Sequence, residues 1–366
     1  MPPFLHRVRA LMLLPLAALA NLAVADTVNT RELTISQLAP GVFTIRHPDP
    51  TDDFPDGNTT VVIGSRGVLV IDTGYLPSTA RADIERIRAV TDKPVRWVVN
   101  THWHNDHVGG NRSYLEAFPG LKIVAHTITR AMMESRIRPF VARVISDESV
   151  FGRLRAQQRE LLRTGLDEKG RAVTDSQRAS TERALALSDR AIAEFRSFAL
   201  QPPTQTFDDA LDIDLGDRSV QLRFLGRGNT GGDVVAWLPK ERILVAGDLV
   251  DHPVPYAFGG YPSEWISTLG KLLQFDALAI VPGHGEVQRN QRYVARVVEL
   301  LQTVTARTEA IVAQRGSAAS VDDVARAIDL SAFRREMAGD DPDNQEFFDA
   351  SMASLIRLAY AEARAR

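Results

Sequence analysis

The chain has 366 residues, a formal net charge of −3 and no cysteine. This length is enough for one large domain or two smaller ones, and 44% hydrophobic with 24% charged residues is typical of a folded, soluble protein. The lack of cysteine excludes disulfides, thiolate metal sites and a cysteine nucleophile. The slightly acidic charge gives no reason to expect a nucleic-acid partner.

The first 25 residues have the pattern of an export signal. A short basic segment without acidic residues precedes the apolar run Ala10–Ala25, which ends in the A-x-A cleavage pattern Ala23-Val24-Ala25. Because the run is shorter than the ~20 residues of a membrane span, we expect cleavage before Asp26 rather than a retained anchor. The mature protein is then expected in the periplasm or secreted, with no stable membrane anchor; an uncleaved anchor is the alternative.

Strand-like and helix-like segments alternate from residue 42 to residue 125. Short β-rich runs predict the strands Val42–Arg46, Thr60–Ile63, Val68–Ile71, Trp97–Val99 and Ile123–Ala125. The second and third of these runs are separated by Gly64–Gly67, which predicts a hairpin. Apolar residues at helical spacing predict a helix over Ala80–Val90. The alternation predicts an α/β layered core.

The second half of the chain contains two regions without predicted strands. Residues 127–200 are rich in charge, have apolar residues at helical spacing, and predict a helical insertion kinked near Pro139. Strands return at Leu211–Leu215, Val220–Phe224, Val234–Leu238, Ile243–Ala246 and Ala279–Val281. After Gly285 the pattern is helical, with breaks at Gly316–Ser317 and Gly339–Pro342. We expect one domain over 26–295 that contains the insertion, and a helical C-terminal extension over 296–366.

Four potential metal ligands occur within six residues, directly after the strand that ends near Asn100. They are His102, His104, Asp106 and His107. Alternate residues of an extended segment point the same way, so the first two imidazoles can share one metal. A turn that begins near Asn105 would carry the other two side chains to a second position beside the first. The alternative is a solvated polar loop, but this spacing predicts a metal centre.

Three further polar residues end predicted strands beside glycines. Asp72 follows the strand Val68–Ile71, Asp248 follows Ile243–Ala246, and His284 follows Ala279–Val281. Strand ends are where α/β folds display functional side chains. Taken alone, each of these residues has an alternative interpretation as a helix cap or a turn residue.

Together these motifs resemble those of the metallo-β-lactamase superfamily of metallo-hydrolases. The matching elements keep the family's order over roughly residues 35–290 and are Ile71–Gly74, His102–His107, Gly228–Asp233, Ala246–Asp248 and Pro282–Gly285. The resemblance implies an α/β fold of the αββα sandwich type, to which the helical insertion and the C-terminal extension are added. It also implies a metal centre at one edge of the two sheets.

The resemblance implies a role for each polar residue of these motifs. His102 and His104 would bind a first zinc ion. The second zinc would be bound by Asp106, His107 and His284, and Asp248 would bridge the two metals. Asp106 would also hold the attacking water, so Asp106 and His284 are the expected catalytic residues. Candidates for orienting the ligands or contacting the substrate are Asp72, Thr101, His252 and Tyr256.

The sequence departs from the family pattern at the third ligand of the first zinc. The family has a histidine where this chain has Asn229, and an amide oxygen is a much weaker zinc donor than an imidazole. We therefore expect one or two zinc ions per chain, with a weak first site. His252, four residues after Asp248, could replace the missing ligand or contact the substrate, or could be a polar loop residue. His126 is expected to be structural, and His47 to lie on an exposed flap formed by residues 47–56.

The expected function is an exported zinc-dependent hydrolase that acts on a small cyclic amide, lactone, ester or thioester, with β-lactams among the candidates. The alternative is a metal-binding protein of the same fold whose first site has degraded and which has little hydrolytic activity. Nuclease activity is disfavoured by the acidic charge and the export signal. The expected partner is therefore a small-molecule substrate. Aromatic residues that could line its pocket are Trp103, Tyr256, Phe258 and Tyr261, whereas Trp265 is expected in the core.

Overall fold

The computed structural model describes residues 33–47, 55–167 and 169–366. The predicted export signal at residues 1–25 and most of the predicted flap, residues 48–54, lie outside the described residues. Within the described ranges, none of the helices combines the length and the apolar character that a bilayer crossing requires.

The first sheet has seven strands, whose spatial order follows the chain. They are β1 (Thr34–Ala39), β2 (Val42–Arg46), β3 (Thr59–Gly64), β4 (Gly67–Ile71), β5 (Val95–Val99), β6 (Lys122–His126) and β7 (Gln205–Phe207). The pairs from β1 to β4 are antiparallel and those from β4 to β7 are parallel. Gly64 pairs with Gly67 across the turn between β3 and β4, which confirms the predicted hairpin.

The second sheet has five strands in the spatial order β12-β11-β10-β9-β8. They are β8 (Ala210–Asp214), β9 (Ser219–Phe224), β10 (Val234–Leu238), β11 (Ile243–Gly247) and β12 (Ala279–Pro282). Only the pair β11–β12 is parallel, so the carboxyl ends of these two strands lie side by side. This arrangement brings the segments that follow β11 and β12 to the same edge of the sheet.

Apolar side chains from both sheets meet in a shared core. Leu69 and Val62 of the first sheet are fully buried in one cluster with Leu222 and Val234 of the second. Strands buried on both faces are rich in Val, Ile and Leu, because neither face of the sheet meets water. The two sheets therefore pack face to face.

Helices cover the outer face of the first sheet. They are α1 (Pro77–Val90), the four-residue α2 (Asn105–Val108) and α3 (Asn111–Ala117). Ile84 and Ile87 of α1 and Tyr114 of α3 are buried against Val70 and Val98 of the sheet. Burial of such side chains is the main free-energy gain that holds helix and sheet together.

The predicted insertion is helical, as expected. Its elements are α4 (Thr127–Met132), a π-helical turn (Met133–Ile137), α5 (Arg138–Ile145), α6 (Val150–Thr164) and α7 (Asp175–Arg196). The π-helical turn lies immediately before α5, in which Pro139 occupies the second position. Phe195 and Met133 of this region are buried with Tyr75 and Val108 of the main domain. The insertion is thus anchored beside the segment that carries His102–His107, called the histidine motif below.

The C-terminal region covers the outer face of the second sheet and completes an αββα sandwich. Its helices are α8 (Pro262–Leu272), α9 (Arg292–Arg315), a 3₁₀ turn (Gly316–Ala318), α10 (Val321–Ala327), α11 (Ser331–Ala338) and α12 (Pro342–Ala365). Leu300 of α9 and Phe348 of α12 are buried against Val235 and Leu244 of the sheet. Trp265 of α8 lies in the same cluster at 1% exposure, which confirms its predicted place in the core.

The expectation that His47 lies on an exposed flap is wrong. His47 is buried, and its Nε2 lies 3.0 Å from Oδ2 of Asp83 on α1, which is itself fully buried. Burial alone would lower the pKa of His47, but the hydrogen bond and the negative charge of Asp83 outweigh it and raise the pKa. His126 is structural, as predicted, because its Nδ1 accepts a hydrogen bond from Ile128 N at the start of α4.

Two neighbouring phenylalanines of α12 test whether the C-terminal helix belongs to the core. Phe348 is 1% exposed and Phe347 is 36% exposed. We expect Phe348→Ala to lower the free energy of unfolding by about 3–5 kcal/mol, because it leaves a cavity under the second sheet. Phe347→Ala, the matched control, should lower it by less than about 1 kcal/mol. Urea denaturation followed by circular dichroism measures both values, and equal values would contradict the packing of α12.

Candidate metal centre

The carboxylate of Asp72 fixes the segment between β5 and α2 that carries the histidine motif. Asp72, at the end of β4, is 2% exposed and adopts a φ of 61°, in the left-handed region. Its Oδ1 accepts a hydrogen bond from Thr101 N at 2.8 Å. Its Oδ2 accepts from Thr101 Oγ1 at 2.7 Å and lies 2.9 Å from His107 Nδ1. These contacts compensate for the unfavourable backbone conformation.

The same contacts orient two imidazole rings. Thr101 Oγ1 donates its hydrogen to Asp72 and is therefore the acceptor for His102 Nδ1, which lies 3.0 Å away. His107 Nδ1 donates to Asp72 Oδ2. In its neutral form each ring then carries its proton on Nδ1, and the lone pair of each Nε2 points away from these partners. A carboxylate or hydroxyl behind an imidazole is the usual support of a histidine that binds a metal.

Three imidazole nitrogens surround the carboxylate of Asp248. Its Oδ2 lies 3.2 Å from His102 Nε2 and 3.6 Å from His104 Nδ1, and its Oδ1 lies 3.1 Å from His107 Nε2. His102 Nε2 and Asp248 Oδ1 are both buried and make no hydrogen bond. Buried polar atoms without a hydrogen-bond partner are uncommon in folded proteins, and a bound ion is one way to satisfy them.

A second set of polar atoms lies beside the first. His284 Nε2 lies 2.9 Å from Asp106 Oδ2 and 3.3 Å from His107 Nε2. The Asp106 and His284 side chains keep 15% and 10% exposure, whereas His107 is fully buried. Solvent therefore reaches the centre on the side of Asp106 and His284.

Glycines allow the segments that carry these residues to approach closely. A Cβ on Gly283 would lie 1.9 Å from Asp248 Oδ1, so the segments after β11 and β12 meet only because this residue has no side chain. A Cβ on Gly109 would lie 1.9 Å from the Tyr75 carbonyl oxygen, so the backbone after α2 packs closely against the segment after β4.

The described residues contain three groups of side chains whose ligand atoms lie within 4.8 Å of one another. The groups are His102 with His107 and Asp248, Asp106 with His107 and His284, and Asp248 with Asp251 and His284. The chemistry of this donor set fits a divalent cation, because imidazole nitrogens and carboxylate oxygens are the zinc ligands available in a protein without cysteine. The structure thus brings the side chains of the histidine motif together with Asp248 and His284, as the sequence analysis expected.

The charges of the centre favour a cation. Burial would lower the pKa of His107, but the carboxylates of Asp248, Asp106 and Asp72 raise it well above its usual range. Burial would raise the pKa of Asp106, but His107 and His284 hold it below its usual range. In the absence of a metal the carboxylates therefore draw a proton onto the imidazole, and a metal ion has to displace that proton.

Asn229 lies in a separate, tightly bonded loop. The residue is 2% exposed, its Nδ2 donates to the Tyr256 carbonyl at 2.6 Å, and its Oδ1 is buried without a hydrogen-bond partner. The loop is fixed by Asp233, whose carboxylate accepts hydrogen bonds from the backbone of Gly228 and from Thr230. The amide oxygen is therefore left available as an acceptor or ligand.

His252 does not join the imidazoles and carboxylates. Its backbone N donates to the His284 carbonyl, but its ring packs against Tyr293 at 4.9 Å between centroids. It lines a cavity of about 560 Å³ with Arg296 and Met337 of the C-terminal helices. The lining of that cavity includes none of the residues around Asp248.

Tyr256 is near the centre, as expected of a substrate-contact candidate. The centroid of its ring lies 5.7 Å from that of His104, and the centroid of the Trp103 ring lies 4.7 Å from that of His104. Phe258 and Phe347 extend this aromatic cluster, with 5.6 Å between their centroids. The contribution of Phe347 was not predicted, because it comes from α12 and no local pattern relates it to the site.

Helix α12 also holds the backbone of the Tyr256 segment. Ser351 is fully buried, its Oγ donates to the Pro255 carbonyl at 2.6 Å, and it accepts from Ala257 N at 3.0 Å. The C-terminal helix therefore positions one wall of the centre, in addition to covering the sheet.

Asp251 is the polar residue of the centre that the sequence analysis missed. It is 3% exposed and lies close to Asp248 and His284. Burial and the neighbouring Asp248 carboxylate raise the pKa of Asp251 well above its usual range. The available signal was its place three residues after Asp248 in the same strand-end loop.

Two known proteins are similar in sequence to about two thirds of the chain. A linear primary-alkylsulfatase from Pseudomonas sp. (strain ATCC 19151) is 23% identical over 252 residues, which cover 66% of this chain but only 43% of that protein. A metallo-beta-lactamase type 2 from Bacillus cereus is 21% identical over 236 residues, which cover 63% of this chain and 67% of that protein.

Solved structures show the same fold. The metallo-beta-lactamase from Pontibacter korlensis superposes with a TM-score of 0.52 and 19% identity, covering 74% of this chain and 99% of the other. The family model of the metallo-beta-lactamase superfamily matches residues 52–284, a segment that contains the histidine motif, Asp248 and His284. Because this match covers more than half of the chain, the chain belongs to the metallo-β-lactamase superfamily.

Proposed function

We propose that this protein is an exported zinc-dependent hydrolase of small amides, lactones, esters or thioesters. The observation that supports the proposal is the convergence of three imidazole nitrogens on one buried carboxylate, Asp248, with two of the rings oriented from behind. In a cluster with a purely structural role we would expect the buried polar atoms to be paired. Here His102 Nε2 and Asp248 Oδ1 have no hydrogen-bond partner and lie near the solvent-accessible carboxylate of Asp106. The export signal predicted from the sequence supports a location outside the cytoplasm.

The proposed ligands of the second zinc match the group formed by Asp106, His107 and His284, and those of the first zinc follow the family pattern. His102, His104 and the amide of Asn229 would hold the first zinc. The ligands of the second zinc would be Asp106, His107 and His284, with Asp248 between the metals. When bound, zinc polarises a substrate carbonyl and lowers the pKa of a water molecule to about 7.

The side chains would then orient the water. Asp106 keeps 15% exposure, so its carboxylate can accept a hydrogen bond from an attacking water and hold it in place. Asp72 would keep the His107 ring in the tautomer whose Nε2 is a ligand. His104, at 20% side-chain exposure, borders the open side of the centre where substrate would enter.

Two measurements test the proposal together. Metal content is determined in the purified protein, and hydrolysis is assayed with a β-lactam, a lactone, an aryl ester and a thioester. A primary alkyl sulfate belongs in the panel because one relative is named an alkylsulfatase. Bound zinc with turnover lost on chelation and restored by zinc is the expected result. Bound zinc without turnover of any substrate would favour the alternative, a metal-binding protein with little hydrolytic activity.

Asp106 provides the sharpest test of the catalytic assignment. We expect Asp106→Ala to lower kcat/KM by well over the ~100-fold seen when a residue behind a metal ligand is lost, because it removes both a ligand and the group that holds the water. The exposed residue Asp92 gives the matched control, Asp92→Ala. Steady-state kinetics and circular dichroism are recorded for both variants. A folded Asp106→Ala variant with normal turnover would exclude catalysis at this centre.

Asn229 tests the assignment of the weak first site. Asn229→His supplies an imidazole in place of the amide, so we expect the weaker zinc to bind at least about tenfold more tightly. Asn229→Ala, which removes the donor, is expected to weaken the same zinc. Zinc titration against a chromophoric chelator measures both. If all three proteins bind two zinc ions with the same affinities, Asn229 is not a ligand.

Phe347 tests the contribution of the C-terminal helix to substrate binding. Its exposed ring continues the aromatic surface that starts at His104 and Tyr256, which favours substrates with an apolar or aromatic group near the scissile bond. We expect Phe347→Ala to raise KM severalfold for an aryl-substituted ester and to leave the KM of an acetyl ester of a small alcohol unchanged. Leu278→Ala, at another exposed apolar residue, is the control. Equal KM values for wild type and Phe347→Ala with both esters would contradict this role.

A further inference from the structure

Asp251 is buried at a position where a charged side chain is energetically unfavourable. The residue is 3% exposed, in the loop after β11, and its backbone carbonyl accepts a hydrogen bond from the Tyr293 hydroxyl. Its Oδ2 accepts a long hydrogen bond of 3.3 Å from Tyr256 N. Its Oδ1 is buried and has no hydrogen-bond partner. A buried carboxylate with one unsatisfied oxygen is stable only when a proton or a cation compensates for it.

A neighbouring carboxylate adds to the negative charge around Asp251. A ligand atom of Asp251 lies within 4.8 Å of ligand atoms of both Asp248 and His284. In the part of the chain that the structure describes, the ion pairs of Asp106 and Asp248 are formed with histidines and none with a lysine or arginine. Histidines that bind a metal through a ring nitrogen are neutral. With the histidines neutral, the neighbouring carboxylates of Asp248 and Asp251 have, among the described residues, no positively charged side chain to compensate for them.

We propose that Asp251 is a further ligand of the second metal, which raises the number of carboxylates at this centre to three. The inference rests on the proposed metal centre and adds a ligand that neither the histidine motif nor the strand-end pattern contains. The unsatisfied Oδ1 of Asp251 and the spacing of Asp248, Asp251 and His284 supply the ligand atom and the geometry.

The extra carboxylate changes which metals the second site accepts. Oxygen ligands suit harder cations such as Mn²⁺, whereas imidazole-rich sites favour Zn²⁺. The second site would offer three carboxylates and two imidazoles, so Mn²⁺ should compete with Zn²⁺ better there than at the first site. A fifth ligand also raises the coordination number above the four typical of structural zinc.

The variant Asp251→Asn separates a metal ligand from a purely structural residue. An asparagine side chain has the same shape and keeps an oxygen that can accept the hydrogen bond from Tyr256 N. It lacks the negative charge that binds a cation. Glu241→Gln is the matched control, because Glu241 is also a buried carboxylate with an unpaired oxygen, but it pairs with Arg218 at the far end of β11.

Metal binding is measured for wild type, Asp251→Asn, Glu241→Gln and Asp106→Asn by titration with Zn²⁺ and with Mn²⁺. We expect Asp251→Asn to bind the second metal at least about tenfold more weakly, with the larger loss for Mn²⁺. The Co²⁺-substituted Asp251→Asn variant should absorb visible light more strongly than Co²⁺-substituted wild type. The reason is that four-coordinate Co²⁺ absorbs more strongly than five-coordinate Co²⁺. The metal-free variant should unfold at the same temperature as metal-free wild type or above it, because an amide can occupy this buried position without binding a proton.

The outcomes are distinguishable. If Asp106→Asn loses metal and Asp251→Asn binds both metals as wild type does, Asp251 is not a ligand, although the metal centre stands. A lower unfolding temperature of metal-free Asp251→Asn with unchanged metal binding would show a structural role and would also overturn the inference. If neither variant changes metal binding, the proposed metal centre itself is wrong.

Discussion

The carboxylate of Asp72 holds the backbone and two side chains of the histidine motif in a pocket that excludes water. It accepts hydrogen bonds from Thr101 N and Thr101 Oγ1, and it binds Nδ1 of His107. Through Thr101 it also determines which nitrogen of His102 is free. The directions of the His102 and His107 imidazoles therefore depend on a residue of a neighbouring strand. A motif of this kind is rigid before any ligand arrives, which lowers the cost of binding one.

The sheet topology explains why residues far apart in sequence meet around Asp248. Strands β4 and β5 are parallel neighbours in one sheet, and β11 and β12 are parallel neighbours in the other. Parallel neighbours end at the same edge, so Asp72 lies beside the histidine motif, and Asp248 lies beside His284. Because the sheets pack face to face, these two edges meet. Aspartates and histidines concentrate there without interrupting the apolar core between the sheets.

The sequence predicted the parts of the site whose signal is local, and it missed those that depend on tertiary contacts. The spacing of the histidine motif and the glycines beside Asp248 and His284 can be read along the chain. The burial of His47 cannot, because it depends on a carboxylate of α1 that is 36 positions away. Asp251 looked like an ordinary loop residue because its unsatisfied oxygen exists only once β11 and β12 have paired. The fold class followed from the alternation of strand and helix patterns and from the family motifs.

The anchoring of the Tyr256 segment by α12 couples local unfolding of the chain's last helix to the shape of the pocket. Ser351 and Ala257 are 94 positions apart, yet their hydrogen bond is fully buried. If α12 undocks, His102 and His107 keep their places because Asp72 holds them, but the aromatic wall loses its support. Partial unfolding would thus widen the range of molecules that reach the centre before it displaces these two histidines. In a protein of this design, substrate selectivity is less resistant to heat and denaturant than the histidines bound to Asp72 and Thr101 are.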